Sequence, residues 1–464
     1  MALRLVNVDR ATPMLLPPDL RDWVPAGHIV HLILDAVSRL PTERFHFNWR
    51  GTGCEQYPPE MMQGLLTYCY CTGRFASREI EEATYSDVVV RYLCGNTHPD
   101  YDTICAFRVS NRRLFEEAFV EVLLLARETG CVKKVGMVAV DGTKVKANAS
   151  KHAAVSYQRA GEQIEFLKAE VAKLVAKAEG ADRQGLDDGL SLPEEMARRE
   201  DRIQRLEEAR RIIRERYEAD RKRQEADYEA LKAKREAQRQ AGKKPRGREP
   251  KAPSQEPPAN KQYNFTDPQS HIMKDGDGFV QAHNAQAVVD TDSLLIVGQR
   301  VSGEPNDKKE LKADLQSMAP VCGAPEAVLA DSGFYSEEQV QEVQKDDGPC
   351  VYVAVDKTHH GRSVEDLQAR EDPPAPTPEA SVTETMRHRL ATKAGRKLYG
   401  LRKQTVEPVF GIIKEVLGFR RFSMRGRHKA ELEWCLVCTA YNLKRLFNLQ
   451  AAHAIGQATT AANG

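Results

Sequence analysis

Three carboxylates stand where a reaction could use them. Asp141 closes an uncharged, Val-rich run at 135–140, Asp331 closes a second apolar run at 327–330, and Glu407 stands in the segment 405–411 (TVEPVFG). Uncharged runs of this length read as strands buried on both faces, because such strands lose the polar/apolar alternation. An acid at the rim of a buried strand is rigidly held yet reaches solvent. Three convergent carboxylates suit a pair of Mg2+ ions, which prefer oxygen ligands and need few of them from protein when phosphate completes the shell. Two metals about 3.5–4 Å apart activate the attacking oxygen and stabilise the leaving one in phosphodiester transfer. Plainer readings exist for two of the acids. Asp141-Gly142 is a common tight-turn pair, and Glu407 has cations close enough to pair with along a helix. The surroundings of Glu407 favour phosphate. Across 396–429, Arg396, Lys397, Arg402, Lys403, Lys414, Arg420, Arg421, Arg425, Arg427 and Lys429 stand against only Glu407 and Glu415.

The patterning predicts alternating strands and helices to carry these acids. Residues 278–290 and 294–301 read as a strand pair turning at Asp290-Thr291-Asp292-Ser293. A helix at 306–318, the strand ending at Asp331, a helix from Ser336 and a strand at 350–355 follow, then a long helix from about Arg396 through Lys414 and an apolar helix at 434–449. The first two acids can meet only if the charged stretch between them is an insertion. From 157 to 262 the chain is rich in Ala, Glu, Lys, Arg and Gln, with Ile164, Leu167, Val171 and Leu174 at helical spacing. A Gly/Asp-rich break at 180–189 separates this from a second helix that opens at Leu192-Pro193. Continued to 240, that helix is roughly 70 Å long. The pair reads as a coiled-coil-like antiparallel hairpin. A basic run at 232–251 (GKKPRGR at its centre) follows, either a phosphate-contacting loop or a solvating linker.

Residues 1–131 read as a compact helical domain. Pro17-Pro18-Asp19, Pro58-Pro59-Glu60 and Ser77-Arg78-Glu79 are helix starts, with shorter helices at 86–94, 99–111 and 112–130. Arg74, Arg78, Arg91, Arg108, Arg112 and Arg113 suit either DNA or a solvated face. The organisation expected is a helical N-terminal domain (1–131), a catalytic domain (132–156 and 263–450), the hairpin with its basic linker (157–262), a flexible Pro-rich insertion (357–395) and a disordered tail (451–464).

Composition bounds the function loosely. The chain has 464 residues and a formal net charge of only +1, so global charge says nothing about nucleic acid. No apolar run approaches the roughly 20 residues that span a bilayer, and the N-terminus lacks a signal-peptide layout. A cytoplasmic protein is expected. The 10 Cys are scattered and complete no zinc site, so they read as reduced thiols in the core.

Several motifs then converge. They are Pro99-Asp100-Tyr101-Asp102-Thr103-Ile104 with Phe107-Arg108, Val140-Asp141-Gly142-Thr143-Lys144, Thr266-Asp267-Pro268, Asn284-Ala285-Gln286, Asn306-Asp307, Ala330-Asp331-Ser332-Gly333-Phe334-Tyr335, and Val406-Glu407-Pro408-Val409-Phe410-Gly411 running on to Lys414. In these the sequence resembles the DDE transposases of bacterial insertion sequences over nearly its whole length. The resemblance implies an α/β ribonuclease H-like core with a mixed five-stranded sheet and flanking helices. It implies two Mg2+ ions, for which Mn2+ can substitute, on Asp141, Asp331 and Glu407. Tyr399, Arg402, Glu407 and Lys414 match the signature of the late helix, in which Tyr and Arg hold the strand backbone near the cut and the basic residue contacts phosphate. Four residues separate Arg402 from Glu407 where relatives have three, which leaves Lys403 as the alternative to Arg402. Glu407 and Lys414, seven apart, should share a helix face. Arg420 and Arg421 join the DNA-contacting set. The implied partners are double-stranded DNA, as terminal inverted repeats and target, and a second copy of the chain. The implied reaction is hydrolysis at the DNA ends followed by attack of the freed 3′-OH on target DNA. The competing readings are a nuclease without strand transfer, a domesticated DNA-binding protein, and a scaffold whose hairpin is the functional part.

Overall fold

The computed structural model describes residues 19–46, 56–184, 192–240, 249–355 and 371–462, apart from single positions within these ranges. The chain divides into two compact units, Met1–Lys146 with His283–Gly464, and Ala147–Ala282.

The first unit opens with helices whose starts are set by local chemistry. Asp19 caps a single 3-10 turn, Leu20–Trp23, and the helix α1 (Ile29–Ser38) begins only after Pro25 and Gly27. The helix expected to run on from Pro17-Pro18 is therefore broken there. Helix α2 (Pro59–Cys71) has Pro at its first position and is buried on nearly all sides from Met62 onward, the mark of a helix at the centre of a core. Helices α3 (Ser77–Ser86), α4 (Val88–Leu93), α5 (Tyr101–Ser110) and α6 (Arg112–Glu128) follow. The Asp87 carboxylate accepts from the N–H groups of Val89 and Val90 and Asp100 accepts from Thr103, so each caps its helix.

The sheet is mixed. Strand β1 (Met137–Lys146) pairs in parallel with β7 (Ala327–Ala330), which pairs in parallel with β8 (Cys350–Val353). On the other side of β1 lies β5 (Gly278–Asp290), which is antiparallel to β6 (Ile296–Ser302). Val138, Ala139, Val140, Val328, Leu329 and Ala330 are all fully buried, as parallel strands covered on both faces must be. Among the described residues this sheet has six strands where five are expected. The sixth, β4 (His271–Asp275), pairs with the first residues of β5 in the second unit. Asp141-Gly142 is not a turn. β1 runs through it to Lys146, whose N–H donates to Arg420 O and whose carbonyl accepts from Phe422 N–H, so partners continue past the acid.

The flanking helices are α9 (Leu311–Gln316), α10 (Glu337–Val343), α11 (Val382–Ala391), α12 (Lys393–Gly411) and α13 (Arg427–Ala462). Three expectations are corrected here. The helix at 306–318 is reduced to α9, because the Asp307 side chain is taken up by Asn284 and Gln286 on β5. The Pro-rich insertion holds α11, capped by a Ser381/Glu384 capping box; residues 356–370 lie outside the described part. The last helix continues through Ala462, where a frayed tail is expected. It clamps the sheet: Asn442 makes two 2.8 Å bonds to the Ile296 backbone on β6, and Trp434 Nε1 donates to Gln286 O on β5 at 2.9 Å. Cys69, Cys71, Cys94, Cys435 and Cys438 are free thiols buried in this core.

In the second unit, β2 (Ala154–Ser156) and β3 (Gln262–Asn264) form an antiparallel pair at the base of two long helices, α7 (Tyr157–Gln184) and α8 (Leu192–Gln240). The helices run antiparallel, since Arg214 bonds Tyr157 while Lys168 pairs with Glu207. Ala160, Ile164, Leu206 and Ala209 bury their shared face beside Val155, with Tyr263 and Phe265 packed on it. With 49 residues, α8 is about 73 Å long. Helix α7 passes the expected break at 180 and continues to Gln184; residues 185–191, and the centre of the basic run at 243–248 except Pro245, lie outside the described part.

Candidate active site

The strand register brings the first two acids together. Val140 and Ala330 are partners in the β1–β7 pair, so Asp141 and Asp331, one residue further along, stand at the same level on neighbouring strands. Asp331 caps a 3-10 turn (Ser332–Phe334), its Oδ1 accepting from Gly333 N–H at 2.7 Å. Asp141 Oδ1 accepts from Gly142 N–H at 2.8 Å. Burial pushes the Asp141 carboxyl up to about 7, and the neighbouring Asp331 charge adds to the shift; Gly142 N–H and Arg402 oppose it.

The third acid joins through a cation. Arg402, only 11% exposed, lies with Nη1 3.6 Å from Asp141 Oδ2 and Nη2 3.6 Å from Glu407 Oε1. Glu407 itself is 56% exposed. One helix, α12, supplies both residues and crosses the ends of β1 and β7. Lys403, the next residue, is exposed, so it is Arg402 that faces the acids. Tyr399 lies one turn before Arg402. Burial raises its hydroxyl, with Arg402 opposing and the Asp331 charge adding to the rise.

Lys414 is placed differently from expectation. Beyond Gly411 the helix widens into a π-helical turn, Ile412–Val416, in which Leu417 N–H reaches back to Ile412 O. Lys414 lies inside this turn, so its seven-residue spacing from Glu407 is not two α-helical turns. Arg420 Nε donates to Lys414 O at 3.2 Å, and its guanidinium pairs with Glu415. Arg420 and Arg421 are exposed on the segment that pairs with Lys146 at the end of β1.

Three further residues belong to this neighbourhood. Asp307 accepts from Asn284 Nδ2 at 2.7 Å and Gln286 Nε2 at 2.6 Å, and its charge also raises the Asp141 carboxyl. All three stand in motifs that the sequence offers without a role, Asn284-Ala285-Gln286 and Asn306-Asp307.

Among the described residues no three His, Cys, Asp or Glu side chains converge closely enough to enclose a metal ion. The donor types nevertheless fit a hard divalent cation. All are oxygens, two carboxylates repel each other at Asp141 and Asp331, and the buried Asn284 Oδ1 and Gln286 Oε1 accept no hydrogen bond.

A transposase DDE domain model matches residues 251–443, and a second model, the transposase domain DUF772, matches residues 18–110. The chain belongs to the DDE transposases. Asp331 and Glu407 fall within the first match. Asp141 lies outside both and is tied to Asp331 by strand pairing. No curated protein and no solved structure matched the chain. Among the described residues no helix is long and apolar enough to cross a membrane.

Proposed function

We propose that the protein binds the terminal inverted repeats of an insertion sequence, cleaves the DNA ends by Mg2+-dependent hydrolysis and transfers the freed 3′-OH to target DNA. The sheet with its flanking helices is read as a ribonuclease H-like catalytic core. The observation that carries this reading is the Val140–Ala330 register, which sets Asp141 and Asp331 side by side, with Glu407 joined to Asp141 through Arg402.

Asp141, Asp331 and Glu407 would hold the cations. Bound there, Mg2+ supplies the Lewis acidity that activates the attacking oxygen and steadies the leaving one. The chain's own residues do the positioning. Arg402 balances two of the acids and, with Tyr399, faces the DNA backbone at the cut. Lys414, Arg420 and Arg421 contact phosphates along the flanking duplex, a charge-driven term that weakens with salt. The protein acts as a dimer in the cytoplasm, with the antiparallel helix pair α7/α8 aiding dimerisation or end holding.

A strand-transfer assay with precut inverted-repeat ends tests the reaction class. Joined product is expected with Mg2+ or Mn2+. Nicking of uncut ends with no joined product would instead make the protein a nuclease.

A further inference from the structure

Asp307, Asn284 and Gln286 form a cluster that the reaction described above leaves unused. Asn284 and Gln286 stand two apart on β5, share one face of it, and are fully buried. Both donate to the same atom, Asp307 Oδ1. This fixes the orientation of both amides, because the flipped form would set a carbonyl oxygen against the carboxylate. Their own oxygens, Asn284 Oδ1 and Gln286 Oε1, are thereby left buried without a donor.

The cluster presses on the residue that follows the first acid. A Cβ on Gly142 would lie 2.5 Å from Gln286 Nε2 and 2.8 Å from both Gln286 Oε1 and Asp307 Oδ1. Any Cβ there would force these side-chain ends to shift. Gln286 and Asp307 thus lie against the backbone that follows Asp141, and they bring a further negative charge and an unpaired acceptor, Gln286 Oε1, to it. A hydrated divalent cation complements both features: it carries positive charge, and Mg2+ keeps several waters whose hydrogens point outward.

We propose that Asp307 is a positioning residue of the cation site at Asp141, acting with Asn284 and Gln286 to fix the Asp141–Gly142 backbone and to receive the outer face of a hydrated divalent cation. This rests on the reading of Asp141 as a cation ligand. Titration of the full chain with Mn2+, followed by electron paramagnetic resonance, tests it. Asp307→Asn keeps the shape and the acceptor and removes the charge. It should weaken Mn2+ binding about tenfold or more, raise the Mg2+ concentration for half-maximal DNA nicking by a similar factor, and leave the melting temperature of the cation-free protein unlowered. Asp307→Glu should recover part of the affinity. Gln286→Met, which removes the amide and leaves the carboxylate, should shift the affinity in the same direction and decides the matter if Asp307→Asn does not fold. Unchanged Mn2+ affinity in the Asp307 and Gln286 variants, with affinity lost in Asp141→Asn, overturns this inference alone. Unchanged affinity in Asp141→Asn as well overturns the cation reading of the whole site.

Discussion

Asp141 is held in a place that opposes its ionisation. Burial and the Asp331 charge raise its carboxyl from 3.8 to about 7 in the folded chain. The folded protein therefore keeps a proton there that the unfolded chain has released, and the stability this contributes is present below about pH 4 and lost as pH rises through about 7. Without added divalent cation, Asp141→Asn should flatten that part of the pH–stability curve. The variant should be more stable than the parent at pH 8, by up to a few kcal/mol. Urea denaturation of both proteins at pH 4 and pH 8 checks this, and equal differences at the two pH values would contradict it. At this scale the sequence was legible for the acids, because an apolar run ending in Asp is a local pattern. Asp307 stood in a quoted motif, but its relation to Asp141 was not legible, because it exists only once β5 lies beside β1. The choice between Arg402 and Lys403 was open for the same reason: adjacent residues on a helix point in different directions, and only the packing of α12 over the strand ends shows that Arg402 faces the acids.

Elements were legible where one local rule set them. Strand β5 begins and ends where its apolar patterning does, and α2 starts at its paired prolines. They were harder to read where two rules competed. Asp141-Gly142 carries a turn signal, but the backbone of residues 420–422 extends the pairing beyond it. The segment 371–395 carries a loop composition, but Ser381 and Glu384 close a capping box and start α11. The hold on residues 420–424 itself rests on a buried acid. Glu433 on α13 accepts from Ser423 N–H at 2.9 Å, Met424 N–H at 3.2 Å and the Tyr70 hydroxyl at 3.3 Å, and Arg108 in turn donates to Tyr70 at 2.8 Å. Glu433→Ala would leave Arg108 without its counter-charge and two backbone donors without an acceptor. A loss of about 3–5 kcal/mol in urea denaturation is expected. A loss below about 1 kcal/mol would mean that the segment is held by its aromatic contacts alone, Phe419 and Phe422 being fully buried.

At the scale of the molecule, each of the two units has its own core. The composition shift near 157 and the heptad spacing announced the helices of the second. The pairing of β2 with β3 at their base was hidden, because strands of three residues carry too little pattern. That pairing makes a specific deletion possible. Ser156 and Gln262 are register partners, and Tyr157 N–H donates to Lys261 O at 2.8 Å, so residues 157–261 can be replaced by an Asn-Gly turn. With Phe265→Ser to avoid an uncovered ring, the shortened chain should keep a cooperative melt and DNA-end cleavage; sedimentation of both chains would show whether the hairpin contributes to the proposed dimer. Loss of the fold would contradict two separate cores. The central claim is that Asp141, Asp331 and Glu407 form one cation-dependent centre for cutting DNA. Its most direct measurement is cleavage of inverted-repeat DNA by Asp141→Ala in Mg2+, with end binding followed in the same samples. End binding as in the parent with no detectable cleavage is the expected result; full cleavage by Asp141→Ala would contradict the account.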